Sequence, residues 1–375
     1  MKKIGICTVT TGFNYGSSLQ AYATKKILSK LGYEPELIKL KGGLIEGRDI
    51  RINKTIVMFF RTILYRKSFR NLYAQYFKSK KNKMSETTKS MFFDFSNKQL
   101  NPQIYSWNEL KKISKEDSYA YFLCGSDQVW NGDAMYVDPL YYLEFAPINK
   151  RVAFSPSFGR KDVAGYNKKN IAKKISKIRK LSVREDSGCE IIKNLTGRDS
   201  VSLIDPTLVI SKDEWNRCFD LSVPIIKEPY VFAYFLDEPS LKAREYLKSI
   251  KELYSIKVIA APYNRTDSFF DDFVDAGPIE FLKLVYNAKY VVTDSFHGTA
   301  FSLNFNIPFS TFERNYGKTG NQSSRIISLL EKVGEMDRFE TYKLDLEKDM
   351  SNKVGNVLNI ERDKSIQYLL DAFEK

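Results

Sequence analysis

Predicted strands and helices alternate along this chain of 375 residues, and the alternation constrains the fold more than any other feature. In the first forty residues, Lys3 to Val9 form a predicted buried strand, and a turn rich in Gly, Ser and Thr follows it. Apolar residues then recur at helical spacing up to Gly32, and Glu36 to Leu40 form the next predicted strand. Such a pattern predicts a parallel sheet covered by helices on both faces.

The alternation continues through two halves of the chain. Further strands are predicted at 119–124, 151–155 and 201–204 in the first half, and at 230–236, 256–261, 289–292 and 307–312 in the second. Residues 211–229, between the halves, are polar and contain Pro224 and Pro229. We therefore predict an α/β fold with two Rossmann-like domains that face each other across a cleft. The domains comprise residues 1–210 and 230–375, joined by a linker at 211–229, and the second ends in a terminal helix.

Composition limits the partners and the compartment. The formal net charge of +14 predicts an anionic partner, such as a phosphate ligand, an anionic membrane surface or nucleic acid. The four cysteines are widely spaced and form no C-x-x-C pair, which indicates a reducing compartment and argues against a structural zinc site. No stretch approaches the roughly 20 apolar residues of a membrane span. We expect a cytoplasmic protein.

Residues 48–83 depart from the alternation. They contain eleven Lys or Arg and one acid, Asp49, interleaved with aromatic and aliphatic residues every three or four positions. The pattern predicts one or two amphipathic helices with cationic faces, which suit an anionic membrane interface. A helical insertion on the first domain with a solvated basic face fits the pattern equally well. No feature matches a nucleic-acid-binding module, and we expect no nucleic-acid partner.

The only histidine, His297, lies between a predicted strand and a predicted helix. A side chain at the carboxyl end of a parallel strand faces the crevice in which open α/β sheets bind ligands. Histidine is also the side chain best suited to proton transfer near neutral pH. His297 is therefore a candidate catalytic acid–base. The alternative is a structural histidine bonded to a backbone carbonyl.

Two early loops carry polar groups that suit a sugar. Asn14, Tyr15, Gly16 and Ser17 open the first helix, where free backbone N–H groups attract an anion or a sugar hydroxyl; a plain tight turn is the alternative. The second loop follows the strand at 119–124 and contains the typical sugar-hydroxyl partners Ser126, Asp127, Gln128 and Asn131. Its Trp130 suits stacking on a sugar ring, and equally a place in the core.

Two other loops carry cations. Arg184 follows a predicted strand, and its guanidinium is a rigid fork for carboxylate or phosphate. A salt bridge to Glu185 or Asp186 is the alternative. Arg314, Lys318 and Arg325 fall within a single loop with two glycines, which favours anion binding and closure over a substrate. An ordinary solvated loop is the alternative there.

Five stretches in order resemble the pattern of the polysaccharide pyruvyl transferase family. They are Thr-Gly-Phe-Asn-Tyr-Gly-Ser-Ser-Leu-Gln-Ala-Tyr-Ala, Gly-Ser-Asp-Gln-Val-Trp-Asn, Ser-Val-Arg-Glu-Asp-Ser-Gly, Asp-Pro-Thr-Leu and Thr-Asp-Ser-Phe-His-Gly-Thr-Ala-Phe-Ser. The resemblance extends from about residue 3 to about residue 333. It implies two Rossmann-like domains arranged as in the GT-B glycosyltransferases. It also implies transfer of pyruvate from phosphoenolpyruvate to a glycan, as a ketal across two hydroxyls.

The resemblance implies roles for single residues. The family's arginine after the Ser-Val strand falls on Arg184, which would hold the donor's carboxylate or phosphate, and its essential histidine falls on His297. A lysine about twenty residues later in some members corresponds to Lys318. Several members carry Arg-Leu before the histidine, whereas this chain has Ser295-Phe296. The missing donor contact would then come from Arg314 or Arg325.

Residues and resemblance together predict a pyruvyl transferase that needs no metal and no cofactor besides its donor substrate, phosphoenolpyruvate. The expected acceptor is a lipid-linked oligosaccharide or polysaccharide precursor on the inner face of the cell membrane. We expect the first domain to bind the acceptor and the second to bind the donor, with Ser295 among the donor contacts. The alternatives are a glycosyltransferase that uses a nucleotide sugar, and a non-catalytic, membrane-associated component of glycan assembly.

Overall fold

Two five-stranded parallel sheets form the framework of the computed structural model, which describes residues 1–10, 12–41, 52–64, 84–134, 136–261, 269–314, 323–346 and 350–373. The first sheet contains β1 (Lys3–Cys7), β2 (Glu34–Leu40), β3 (Gln103–Tyr105), β4 (Tyr119–Cys124) and β5 (Arg151–Ala153). A separate parallel pair follows in the chain, β6 (Ser182–Val183) with β7 (Val201–Ser202). The second large sheet contains β8 (Tyr230–Tyr234), β9 (Lys257–Ala260), β10 (Asp272–Phe273), β11 (Tyr290–Thr293) and β12 (Phe309–Thr311).

The strand orders confirm the predicted fold class. The first sheet has the order β3-β2-β1-β4-β5, and the second has the order β10-β9-β8-β11-β12. Counted from the first strand of each sheet, both orders read 3-2-1-4-5, which is the order of the doubly wound Rossmann fold. The chain is thus an α/β protein with two Rossmann-like sheets.

Helices connect the strands and cover the sheets. In chain order the described helices are α1 (Tyr15–Lys30), α2 (Ile52–Leu64), α3 (Glu86–Phe95), α4 (Trp107–Ile113), α5 (Gly165–Ile175), α6 (Asp186–Thr196), α7 (Pro206–Val209), α8 (Lys212–Phe219), α9 (Leu241–Tyr254), α10 (Pro278–Tyr286), α11 (Phe296–Phe305), α12 (Ser324–Val333) and α13 (Lys353–Ala372). Every residue of β8 and β11 is buried, as expected for strands covered on both faces.

The stretch predicted as a linker contains a helix. Ser211 and Glu214 form a capping box at the start of α8, which satisfies two backbone donors at once. Trp215 of this helix is fully buried, and its Nε1 donates to the carbonyl of Thr207 at 3.0 Å. The polar composition of the stretch predicted a linker, and the sequence did not show that Trp215 is buried. The proposed domain boundaries themselves stay a prediction.

The terminal helix, predicted as part of the second domain, also contacts the first sheet. α13 spans Lys353–Ala372. The Tyr368 hydroxyl donates to the carbonyl of Ala153 in β5 at 2.7 Å. Phe373 stacks on Tyr121 of β4, with ring centres 5.0 Å apart. Because these contacts join the end of the chain to the first sheet, they couple the two domains.

Tyr15, in the first turn of α1, anchors the first domain to the second. Its ring stacks on Phe281 of α10 with centres 4.5 Å apart, and its edge meets Tyr234 of β8. The hydroxyl donates to the carbonyl of Ala276 at 2.8 Å, and the side chain is fully buried. This contact brings the start of α1 to the second sheet.

We expect Tyr15→Phe to lower the free energy of unfolding by about 1–2 kcal/mol, because the buried carbonyl of Ala276 loses its donor while the ring contacts remain. Urea unfolding followed by circular dichroism measures this change. Tyr254→Phe is the matched control, since the Tyr254 hydroxyl also donates to a carbonyl, that of Leu344, but the side chain is 38 % exposed. An equal loss in both variants would contradict a buried role for the Tyr15 hydroxyl.

Candidate functional site

The candidate site lies where the ligand crevices of the two sheets face each other. The strand order reverses between β1 and β4 in the first sheet and between β8 and β11 in the second, and loops at such points line the crevice of an α/β sheet. Gly16, in the first turn of α1, lies against His297, in the first turn of α11. A Cβ atom on Gly16 would come within 1.9 Å of the imidazole Nδ1. The two crevices are thus in direct contact.

The junction of β11 and α11 fixes the position of His297. The Thr293 hydroxyl accepts a hydrogen bond from the backbone N–H of Ser295 at 3.0 Å, and the Ser295 hydroxyl caps α11 by accepting from the backbone N–H of Gly298. A Cβ atom on Gly298 would lie 2.4 Å from the Thr293 hydroxyl, so the close turn requires glycine there. His297 is consequently only 7 % exposed.

The Asp205 carboxylate connects candidate residues from both domains. Its Oδ2 accepts hydrogen bonds from the Ser126 hydroxyl at 2.9 Å and from Arg184 Nη1 at 2.7 Å, and it lies 3.8 Å from His297 Nε2. Burial by itself raises the pKa of Asp205. The positive charges of protonated His297 and of Arg184, together with the hydrogen bonds, outweigh burial and lower that pKa to about 2. Asp205 is therefore an ionised carboxylate at neutral pH.

Arg184 is held on two sides and keeps one nitrogen available. Its Nη1 binds Asp205, and its Nε lies 3.4 Å from Glu185 Oε1, so the salt bridge considered from the sequence is present in part. The guanidinium carbon is 4.3 Å from the centre of the Phe296 ring, within cation–π distance. Nη2 is buried and has no hydrogen-bond partner in the described part of the chain. This N–H group can bind an anion.

His297 also keeps a nitrogen available. Its Nε2 is buried and has no hydrogen-bond partner among the residues that the structure describes, which include no backbone carbonyl bonded to it. Burial lowers the pKa of the imidazole below its ordinary value, and the carboxylates of Asp205 and Asp127 oppose this change. The imidazole is therefore neutral at neutral pH, and a bound anion would favour its protonation.

The three cations that the sequence assigns to one loop differ in their surroundings, and Arg325 lies in the first turn of α12. The guanidinium of Arg325 lies 5.8 Å from the centre of the Phe296 ring and acts electrostatically on His297, so it belongs to the site. Arg314 instead forms an ion pair with Asp237, with Nε and Oδ2 2.7 Å apart. Lys318 lies outside the described residues.

Among the predicted acceptor residues, Gly16 lies against the His297 ring, and Asp127 acts on it electrostatically. The Ser17 hydroxyl donates to Asp127 Oδ2 at 2.5 Å, and the Asp127 charge acts on both His297 and Arg184. Ser126 is fully buried, and its hydroxyl binds Asp205 and the carbonyl of Ser155. The hydroxyl of Ser126 therefore faces the protein interior.

The remaining predicted residues have local partners. Asn14 caps α1 by accepting from the backbone N–H of Ser17, and Asn131 accepts from the backbone N–H of Asp133. Gln128 packs so closely on Gly159 that a Cβ atom there would lie 2.1 Å from its Nε2. Trp130 is fully buried and stacks on Tyr142 in the core, which is the alternative considered for it. Tyr15 is the domain anchor described above.

Two buried carboxylates of the site region were not selected from the sequence. Asp205 belongs to the Asp-Pro-Thr stretch and is the N-cap of α7, with Pro206 at the first helical position. This pattern indicates the start of a helix and does not indicate a charged site. Asp294 accepts from the backbone N–H of Leu236 at 2.7 Å, which ties the end of β11 to the end of β8. Burial raises the pKa of Asp294 to about 7. Among the described residues there is no cluster of three or more His, Cys, Asp or Glu that could hold a metal.

Comparisons with known proteins identify a family and several similar structures. A family model for polysaccharide pyruvyl transferases matches residues 14–316. A search of curated proteins found no significant match. A UDP-N-acetylglucosamine 2-epimerase from Rickettsia bellii is 11 % identical, with a TM-score of 0.49, over 100 % of this chain and 97 % of that chain.

Two further solved structures are similar to a comparable degree. A UDP-GlcNAc 2-epimerase from Methanocaldococcus jannaschii is 12 % identical, with a TM-score of 0.49, over 97 % of this chain and 93 % of that chain. MurG from Acinetobacter baumannii is 8 % identical, with a TM-score of 0.41, over 100 % of this chain and 95 % of that chain.

We expect Gly16→Ala to displace the His297 ring, because the added methyl group overlaps Nδ1. The variant should lose about 1–3 kcal/mol of stability, the usual cost of overpacking. The resonance of the only imidazole in the chain should move in a ¹H–¹³C spectrum of histidine-labelled protein. Gly355→Ala is the control, since nothing lies within 4 Å of a Cβ atom at that α13 position. An unmoved imidazole resonance in Gly16→Ala would contradict the contact.

Proposed function

Because the chain belongs to the polysaccharide pyruvyl transferase family, we propose that it transfers the pyruvyl group of phosphoenolpyruvate to two hydroxyls of a sugar, as a ketal. The observation that carries this proposal is the meeting of Arg184 and His297 at Asp205, each with one buried nitrogen that lacks a partner in the described part of the chain. Arg184 Nη2 suits an anion, and His297 Nε2 suits a proton that is transferred. Phosphoenolpyruvate needs both.

In the proposed donor site, cations surround the carboxylate and the phosphate. The guanidiniums of Arg184 and Arg325 both lie over the ring of Phe296, the residue next to His297, and the first turn of α1 supplies backbone N–H groups. The donor brings up to three negative charges next to the imidazole, which favours its protonated form. Lys318 and Arg314 remain further donor contacts in the proposal, and Arg314 would have to leave Asp237.

The reaction begins with proton transfer from the His297 imidazolium to the methylene carbon of the donor, which makes C2 electrophilic. A sugar hydroxyl attacks C2 and loses its proton, and the bond between C2 and the phosphate oxygen breaks. The second hydroxyl then attacks C2, which closes the ketal. The two hydroxyl protons balance the proton given to the methyl group and the proton taken by the departing phosphate.

The acceptor would lie against the first domain. Asp127 is, besides Asp205, a carboxylate on that side that interacts electrostatically with His297, and its Oδ2 already accepts from Ser17. A carboxylate in this position can accept the proton of the attacking hydroxyl. Gln128 and Asn131 flank it as further hydroxyl partners.

The decisive experiment is mass spectrometry of a lipid-linked oligosaccharide incubated with the protein and phosphoenolpyruvate. We expect the product to gain the mass of one pyruvate less one water.

His297→Gln should reduce turnover at least about 10²-fold, as for loss of a positioned acid. Arg184→Lys should raise the donor KM, because lysine lacks the fork. Binding of UDP- or GDP-sugars, with no binding of phosphoenolpyruvate in isothermal titration, would instead favour glycosyl transfer.

A membrane surface is the second part of the proposal, since a lipid-linked acceptor lies in a bilayer. No described helix is long and apolar enough to cross a membrane. However, α2 exposes Ile56, Phe59, Phe60, Ile63 and Leu64, and the last of these is 72 % exposed. Arg61 binds Asn167 of α5, which exposes Lys169 and Lys173 nearby. An apolar patch beside lysines suits insertion into anionic lipid.

We expect the protein to co-sediment with phosphatidylserine-containing vesicles, and the triple variant Phe59→Ser, Phe60→Ser, Leu64→Ser to bind at least about tenfold more weakly, because each buried apolar side chain contributes about 1.5–3 kcal/mol. The control Leu241→Ser, Leu253→Ser changes two exposed leucines of α9 instead. Binding should weaken with salt and with pure phosphatidylcholine. Equal binding by the triple variant and the native protein would exclude this patch as the membrane contact.

A further inference from the structure

The Asp205 carboxylate is the point at which residues of both domains meet. We propose that Asp205 is a positioning residue that supplies the counter-charge of the His297 imidazolium and, through the same oxygen, fixes the direction of the Arg184 guanidinium. The chemical use of this arrangement rests on the proposed function, whereas the arrangement itself does not.

Four hydrogen bonds hold the carboxylate in one orientation. Oδ1 accepts from the backbone N–H of Thr207 at 3.0 Å and from its hydroxyl at 2.8 Å. Oδ2 accepts from the Ser126 hydroxyl at 2.9 Å and from Arg184 Nη1 at 2.7 Å. Asp205 is 1 % exposed, so water does not replace these partners. The carboxylate therefore cannot turn away from His297.

The imidazole faces this fixed charge without a hydrogen bond. Its Nε2 lies 3.8 Å from Asp205 Oδ2, which is too long for a hydrogen bond but close for two charges in a buried site. Nε2 has no hydrogen-bond partner in the described part of the chain. Protonation would therefore create an N–H group whose nearest carboxylate is already in place.

The charged groups around His297 show why the charge of Asp205 matters for the protonation of the imidazole. Asp127, from the loop after β4, and Asp205, which caps α7, favour the imidazolium. Arg184, from the loop after β6, and Arg325, from α12, disfavour it. Two anions thus oppose two cations. Loss of the Asp205 charge leaves the cations in excess, and the imidazole should then keep its proton only at lower pH.

A purely structural role for Asp205 makes a different prediction. Asparagine caps helices as well as aspartate does, so Asp205→Asn can keep the cap on α7 while it removes the charge. If Asp205 only capped α7, this variant would leave the titration of His297 unchanged. Glu185→Gln is the matched control, because Glu185 contacts Arg184 Nε, whereas Asp205 Oδ2 lies 3.8 Å from His297 Nε2.

The single histidine makes the test direct. Full-length protein without a polyhistidine tag is labelled with ¹³C-histidine, and the imidazole resonance is followed against pH without substrate. We expect the midpoint to lie at lower pH in Asp205→Asn than in the native protein, and to stay in place in Glu185→Gln. Equal midpoints in the native protein and in folded Asp205→Asn would overturn the proposal.

A second variant covers the case in which Asp205→Asn fails to fold. Arg184→Gln removes a cation that disfavours the imidazolium, so the midpoint should move to higher pH, the opposite direction. An unmoved or lowered midpoint in Arg184→Gln would overturn the proposal independently. Thermal unfolding followed by circular dichroism establishes that each variant is folded.

Turnover provides the link to catalysis. With phosphoenolpyruvate and acceptor, Asp205→Asn should lower kcat about 10-fold to 10²-fold, and the pH at which kcat declines on the basic side should fall with the imidazole midpoint. Absence of pyruvyl transfer in the native protein would reject the proposed function, while the substrate-free titration would still decide the role of Asp205. A pH profile unchanged in Asp205→Asn, in an active enzyme, would reject the role of Asp205 alone.

Discussion

The packing of the first turn of α1 against the second domain is the contact on which the rest of the structure depends. Tyr15 places its ring on Phe281 and its hydroxyl on the carbonyl of Ala276, and the next residue, Gly16, lies against His297. Two Rossmann-like sheets could be related in many ways by a flexible linker. This buried contact selects the relation in which their ligand crevices meet, and glycine at position 16 leaves room for the His297 ring.

The fold was largely predictable from the sequence because it depends on local patterns. Continuous apolar runs such as those at Tyr230 and Tyr290 indicate strands buried on both faces, and their alternation with helices requires parallel pairing. The exceptions are single anchors within polar stretches. Trp215 anchors a helix within the predicted linker, and Tyr368 attaches the terminal helix to the first sheet. The partner carbonyl of Tyr368 lies 215 residues away, so no local pattern could reveal that contact, whereas the capping box of Ser211 and Glu214 is a local signal for α8.

The candidate site was predictable in part. Position at a strand end was sufficient to select His297, Arg184 and Asp127, whose surroundings now include each other. Position did not distinguish a side chain that points into the crevice from one that points into the core, as for Tyr15 and Ser126. Asp205 was missed because its importance arises from what converges on it. A residue 21 positions from Arg184 and on the other domain from His297 has no sequence signature of that meeting.

The return of α13 to the first sheet has a consequence during synthesis. The Tyr368 hydroxyl reaches its partner carbonyl across 215 residues of chain. At about 5–20 residues per second, a ribosome needs on the order of 10–40 s to add that length. During this interval Tyr121 lacks its contact with Phe373, and the carbonyl of Ala153 in β5 lacks its contact with Tyr368, although the neighbouring strands are already synthesised. The first domain to emerge therefore completes its packing last, and this face of the first sheet stays exposed until α13 leaves the exit tunnel.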